Sequence, residues 1–285
     1  GVAPEKYEFP GNSLTFYNPF GDLKNWIRFE SKHGTFTCQD LWLYKATGLM
    51  LSGYGADPCT QTFCGNISVN ASGYYAIFAG YVNRRGIIEA AISGKGGIYL
   101  MGESTFEFKA DNSGYAGSIR LTDGVTLTVA DEKNLGGAPT ACTDAYPLNV
   151  EANSTFRPSQ TMEISGRKMR VNAGTILTDE GVELTSRASV MFGAQGDNIK
   201  GGDGTWTLAA AGENATGAKV IVKAGSLKIA HMTALGTAKV VLQDDGVLMV
   251  DVNAEDENIR TYGALVRGGL ETTGERITVR IDKPM

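Results

Sequence analysis

The chain has 285 residues, 37 glycines, 8 prolines, 42% apolar residues and a net charge of −5 at neutral pH. Its 26 lysines and arginines are scattered and form no dense basic stripe able to neutralise successive phosphates, which argues against a nucleic-acid partner. So much glycine among short apolar runs fits short strands and tight turns, not long helices.

The sequence opens Gly1-Val2-Ala3-Pro4, with no basic n-region or apolar h-region, so any export signal is expected to have been removed or to lie outside it. Gly11-Asn12-Ser13-Leu14 is one residue away from a Gly-Asp-Ser-Leu esterase signature. That chemistry needs a histidine base late in an α/β domain, whereas His231 sits in a β-repeat; the segment reads better as the opening of a strand.

The first hundred residues hold 17 of the 25 aromatic residues, three of the four cysteines and two of the three tryptophans. Residues 1–90 therefore read as an aromatic-rich cap or irregular first coils, because a solenoid must cover the apolar end of its stack. The competing reading is a ligand face on which Trp42, Tyr44, Tyr54, Tyr74, Tyr75 and Tyr81 stack against sugar rings. Cys59 and Cys64 flank Thr60–Phe63 after Asp57-Pro58, and a disulfide there would contribute roughly 2 kcal/mol by closing a small loop. The pairing of Cys38 and Cys142 stays open. His33 and His231 are isolated, so the cysteine pair lacks the second pair a zinc site requires; no metal or cofactor is expected. The longest apolar stretch, Tyr74–Val82, falls far short of the ~20 residues of a membrane-spanning helix, so no transmembrane segment is expected.

From residue 91 onward, apolar residues alternate over short runs ending in Gly, Asn or Asp. Leu121–Val129, Val220–Ile229 and Val240–Val250 each read as strand, turn, strand. Leu127 with Val129, Leu227 with Ile229, and Leu248 with Val250 are the expected core positions, with the Thr and Lys between them facing out. The order is also repeated. Ile92-Ser93-Gly94-Lys95-Gly96-Gly97, Ser104–Phe108, Asn112–Gly117, Leu127-Thr128-Val129 and Asn134-Leu135-Gly136 match Ile199–Gly204, Thr205–Leu208, Asn214–Gly217, Leu227-Lys228-Ile229 and Ala234-Leu235-Gly236. Gly117 to Gly217, Leu127 to Leu227 and Leu135-Gly136 to Leu235-Gly236 keep an offset of 100. Val171–Thr178 is a partial third copy.

This order resembles the autotransporter-associated β-strand repeat, with Asn214-Ala215-Thr216-Gly217 followed by Val222-Lys223-Ala224-Gly225-Ser226-Leu227 as the nearest match. The resemblance covers roughly residues 92–250. It implies an all-β, right-handed single-stranded parallel β-helix, with residues 91–285 as one continuous repeat-bearing solenoid. It further implies export and display at the bacterial surface; no membrane barrel is recognisable after Arg276–Ile281, so the anchoring module is expected to be absent or to lie outside this sequence.

The expected function is accordingly a non-enzymatic adhesin or scaffold that presents a long face to a host protein or glycan. The alternatives are a polysaccharide lyase or glycosidase and a carbohydrate-binding module. Hydrolase elbows, phosphate loops and dinucleotide fingerprints are absent from the sequence. Asp197, Asp203, Asp244 and Asp245 with Arg84 and Arg85 are the charges an enzyme would recruit, although Asp beside Gly in a solenoid usually marks a turn. Gly201-Gly202-Asp203-Gly204 occurs once, whereas Gly/Asp calcium sites need tandem repetition. Sequons begin at Asn66, Asn70, Asn153 and Asn214 and would matter only in a eukaryotic secretory route.

Overall fold

The computed structural model describes residues 6–17, 25–30, 33–44, 47–52, 58–70, 75–139, 144–151, 153–251, 266–273 and 278–281. The chain forms two compact units, Gly1–Pro147 and Leu148–Met285. Both are parallel β-solenoids, and the one helical element among the described residues is the 3-10 turn Glu132–Asn134.

In the first unit, Lys6–Glu8 and Ser13–Tyr17 both pair with His33–Tyr44, and the ladder continues through Cys59–Val69 to Arg84–Ile88 and Ala91–Gly94. Thr105–Phe108 and Thr126–Val129 extend it from Arg84–Ile88. A second sheet runs Asn25–Phe29, Thr47–Leu51, Tyr75–Gly80, Gly97–Met101 and Ile119–Thr122. All these pairings are parallel, so a residue meets its equivalent one coil on, as Thr105 meets Thr126. Alternation then sends one parity inward on every strand. Leu49, Phe78, Leu100 and Leu121 line up across the second sheet and are fully buried. Each such side chain contributes roughly 1.5–3 kcal/mol. At the beginning of this interior, Phe29, Phe36 and Phe63 meet edge-on at 4.7–6.4 Å.

Corners are tied by asparagines. Asn112 accepts from the Ile92 N–H at 2.7 Å and donates to the Asn134 carbonyl at 2.5 Å, linking successive coils. Asn134 in turn donates to the carbonyls of Lys109 and Ala110 and accepts from the N–H groups of Ala130 and Asp131. Backbone groups that a turn would leave orphaned are thereby satisfied.

Cys59 and Cys64 do not flank a loop. Both lie on the continuous strand Cys59–Val69, where Cys59 is buried, Cys64 is half-buried, and both are free thiols. Five residues of extended chain separate them by roughly 16 Å and place them on opposite faces, which rules out a bridge. Cys38 is also free and buried; Cys142 lies outside the described residues.

The second unit starts with three-stranded coils. Leu148–Glu151, Met169–Asn172 and Val190–Phe192 form one ladder. Thr155–Pro158, Thr175–Leu177, Asn198–Gly201, Lys219–Val222, Lys239–Leu242 and Leu270–Thr272 form another. Met162–Ile164, Glu183–Ser186, Thr205–Leu208, Ser226–Ile229, Val247–Val250 and Thr278–Ile281 form the third. Among the described residues the first ladder ends at Val190–Phe192, and the coils up to Val250 that follow use two strands. Asn198 repeats the corner device, donating to the carbonyls of Gly193 and Lys219 and accepting from the Ala173 N–H.

The offset of 100 has a structural meaning: Thr105–Phe108, Ile119–Thr122 and Thr126–Val129 recur as Thr205–Leu208, Lys219–Val222 and Ser226–Ile229. The register recurs too, Phe106↔Leu127 becoming Trp206↔Leu227. All six expected core residues are buried: Leu127, Val129, Leu227, Ile229, Leu248 and Val250. Gly136 and Gly236, which close the two copies, both take positive φ (116° and 49°), the region glycine occupies without strain.

One inner row of the second unit, Ile176, Lys200, Val222 and Leu242, is apolar except for a lysine. Lys200 is fully buried, and its ammonium donates to the carbonyls of Gly201 (2.9 Å), Gly202 (2.7 Å) and Ala224 (3.1 Å). Burial pushes its pKa down to about 8, and nearby Asp203 opposes that shift. Lys200→Met removes the buried charge but takes the ammonium donor from those carbonyls. The Gly201 carbonyl keeps the Thr178 N–H at 3.1 Å; with the orphaned Gly202 and Ala224 acceptors costing about 1–3 kcal/mol each and relieved desolvation offsetting part of it, a net loss of about 2 kcal/mol is expected at pH 7. Because the folded pKa lies below the ordinary value of 10.5, the unfolded chain binds the extra proton between about pH 8 and 10.5. Wild-type stability therefore gains relative to Lys200→Met as pH rises through that window. Denaturation midpoints of the two proteins that stay parallel from pH 7 to 10.5 would refute the assignment.

Candidate functional site

The outward side of the first unit's second sheet is unusually apolar. Alternation places Trp26, Gly48, Ile77 and Tyr99 in one outward row and Arg28, Met50, Ala79 and Met101 in the next. The turns that follow three of these strands, at Tyr81–Val82, Gly102–Glu103 and Asp123, rise beside the second row. Together they enclose a groove of about 470 Å³, lined by Trp26, Met50, Ala79, Gly80, Tyr81, Val82, Met101, Gly102, Glu103 and Asp123. Its size lies in the usual range for ligand sites. Tyr81 and Val82 are 57% and 53% exposed at its wall, which leaves large apolar surface in water.

Two carboxylates stand at one end of the groove. Asp123 takes a positive φ of 58° and accepts a hydrogen bond from the Thr122 hydroxyl at 3.3 Å. Neither it nor Glu103 has a cationic partner among the described residues. Elsewhere on this unit, Glu107 pairs with Arg85 and Glu89 lies 3.8 Å from Lys109.

The sugar-stacking residues expected from composition are dispersed. Trp42 and Tyr44 point outward from His33–Tyr44 on the unit's other sheet, their rings nearly parallel (12°) with centroids 6.4 Å apart. Tyr75 lies on the second sheet but is committed internally. It stacks on Tyr99 at 3.7 Å, and its hydroxyl donates to Asp144 at 3.1 Å. Burial, with Tyr99 and Asp144 nearby, pushes its pKa well above the usual phenol range, so it remains a donor. Arg120 closes the stack, donating to the Tyr99 hydroxyl at 3.0 Å and lying 5.3 Å from that ring. Of the four that fall within the described residues, Tyr81 alone lines the groove. Tyr54 and Tyr74 lie outside the described residues.

The charges considered for an enzyme are also apart. Arg84 is buried and donates to the Ser52 carbonyl at 3.0 Å, whereas Arg85 faces out to Glu107. Asp197 pairs with Lys219 at 2.7 Å, and Asp244, with φ 46°, forms a turn. His231 accepts from the Thr233 N–H at 3.2 Å, a local turn contact. Among the described residues no group of three or more His, Cys, Asp or Glu could hold a metal, and no helix is long and apolar enough to cross a membrane. Trp26, Met50, Met101, Glu103 and Asp123 were not among the residues singled out from sequence. The available signal was Tyr75–Gly80, apolar at both parities, which marks a strand covered on both faces.

No family model, no curated protein and no solved structure matches the chain.

Proposed function

We propose that the chain is a non-enzymatic binding solenoid of the adhesin type, displayed at a bacterial surface, and that it meets its partner through the groove of the first unit. The carrying observation is exposed apolar surface on an otherwise ordered face, at Tyr81 and Val82 beside Met50 and Met101. Isolated exposed apolar residues are common, but a contiguous set around a concavity marks a contact site. Export and display rest on the resemblance of residues 92–250 to the autotransporter-associated repeat.

Tyr81→Ala tests the groove. Because Tyr81 is mostly exposed, the denaturation midpoint is expected to stay put, while partner binding falls by about 2 kcal/mol, roughly thirtyfold, as for an aromatic anchor. A partner captured equally well by the variant would remove the groove from the binding surface. Protease shaving of intact cells tests display, since a protein protected until lysis is not on the surface.

A polysaccharide-acting enzyme is the second reading, favoured by Glu103 and Asp123 sharing one groove. It requires cleavage of a polysaccharide that is lost in Glu103→Gln or Asp123→Asn.

A further inference from the structure

We infer that the groove holds an extended peptide segment of a partner protein, apolar along its middle and carrying lysine or arginine at the end that reaches Asp123. This rests on the groove being the binding site and goes further by naming its occupant.

Shape is the first argument. The groove crosses the sheet from Trp26, on the strand Asn25–Phe29, to Asp123, just beyond Ile119–Thr122. Those are the outer members of five successive strands, and four inter-strand steps of about 4.8 Å span roughly 19 Å. An extended peptide covers that length with about six residues at ~3.3 Å each.

Chemistry is the second. Met50, Ala79 and Met101 make a floor with little hydrogen-bonding capacity, and methionine adapts to varied apolar side chains. A sugar laid there would leave hydroxyls desolvated without partners, at a cost of about 1–3 kcal/mol each. Aliphatic and aromatic side chains incur no such cost.

Charge sets the direction. Glu103 and Asp123 stand without cations at one end, while Arg28, register partner of Met50, is exposed towards the other. A ligand with its positive end at Asp123 meets both carboxylates, whereas one laid in reverse carries that positive end towards Arg28 and leaves the carboxylates unmatched.

The test uses the full chain and fluorescein-labelled octapeptides containing four Leu or Phe residues and two terminal Lys, with otherwise identical Glu and Gln versions, followed by anisotropy. At 50 mM salt the Lys peptide is expected to bind at least about fivefold tighter than the Glu peptide, with the gap shrinking at 500 mM. The double variant Glu103→Gln/Asp123→Asn should erase the gap, and Tyr81→Ala should weaken all three peptides. Equal binding of Lys and Glu peptides to the wild type, or no peptide binding, overturns this occupant. If a glycan on an array then binds in a Tyr81-dependent way, the groove stands and only its occupant changes. If nothing bound depends on Tyr81, both fall.

Discussion

Trp206→Ala is expected to cost the second unit about 4 kcal/mol, the largest loss from any single side-chain truncation we foresee. Trp206 is fully buried, paired across the ladder with Leu184 and Leu227, and packed edge-on against Phe192 at 5.7 Å. Its indole N–H donates to the Ser186 hydroxyl at 3.0 Å, so truncation opens a cavity and leaves that hydroxyl buried and short of a partner. Trp206→Phe keeps most of the volume and should cost only about 1–2 kcal/mol. Urea denaturation, with hydrogen exchange read at Thr205–Leu208, separates these cases. Trp206→Ala within 1 kcal/mol of wild type would contradict the packing described. Trp42→Ala provides the contrast, because Trp42 is half-buried on an outer face and its loss should leave the midpoint nearly unchanged.

Gly48→Ala is expected to destabilise the first unit by about 3 kcal/mol, although it adds one methyl group. A Cβ at Gly48 would lie 1.7 Å from the carbonyl oxygen of Ile77 on the neighbouring strand. Backbone cannot yield as a long side chain does, so Thr47–Leu51 and Tyr75–Gly80 must separate. Met50 and Ala79 sit on those two strands, and the groove floor should distort with them. The expected result is a lowered midpoint together with weakened binding, unlike Tyr81→Ala, which should affect binding alone. An unchanged midpoint would mean that the two strands are less closely apposed than described.

The contrast between fold and site explains what could be read from letters alone. Leu127-Thr128-Val129 and Leu227-Lys228-Ile229 announce strands because alternation and burial are local consequences of backbone geometry. Their spacing of 100 could be seen because the same register was used twice. Cys59 and Cys64 misled because Asp57-Pro58 suggested a turn, while the alternation of Thr60, Gln61, Thr62 and Phe63 was the truer sign of a continuous strand. The groove needed more than pattern. Trp26, Met50, Met101 and Asp123 are far apart in sequence and meet only once four inter-strand steps have been laid down in order. Of the nominated aromatic residues within the described parts, only Tyr81 reaches the groove, because Trp42 and Tyr44 lie on the other sheet and stacking claims Tyr75.

In-register stacking also limits how such a chain can change length. Thr205 faces Ser226 and Ser226 faces Val247, each 21 residues on. Removing a complete 21-residue turn keeps every inner ladder in phase, whereas losing one residue inside a strand swaps its wet and dry sides. Natural variants should therefore differ by whole turns or at corners, a ratchet on gene-level indels that leaves the faces free to diversify.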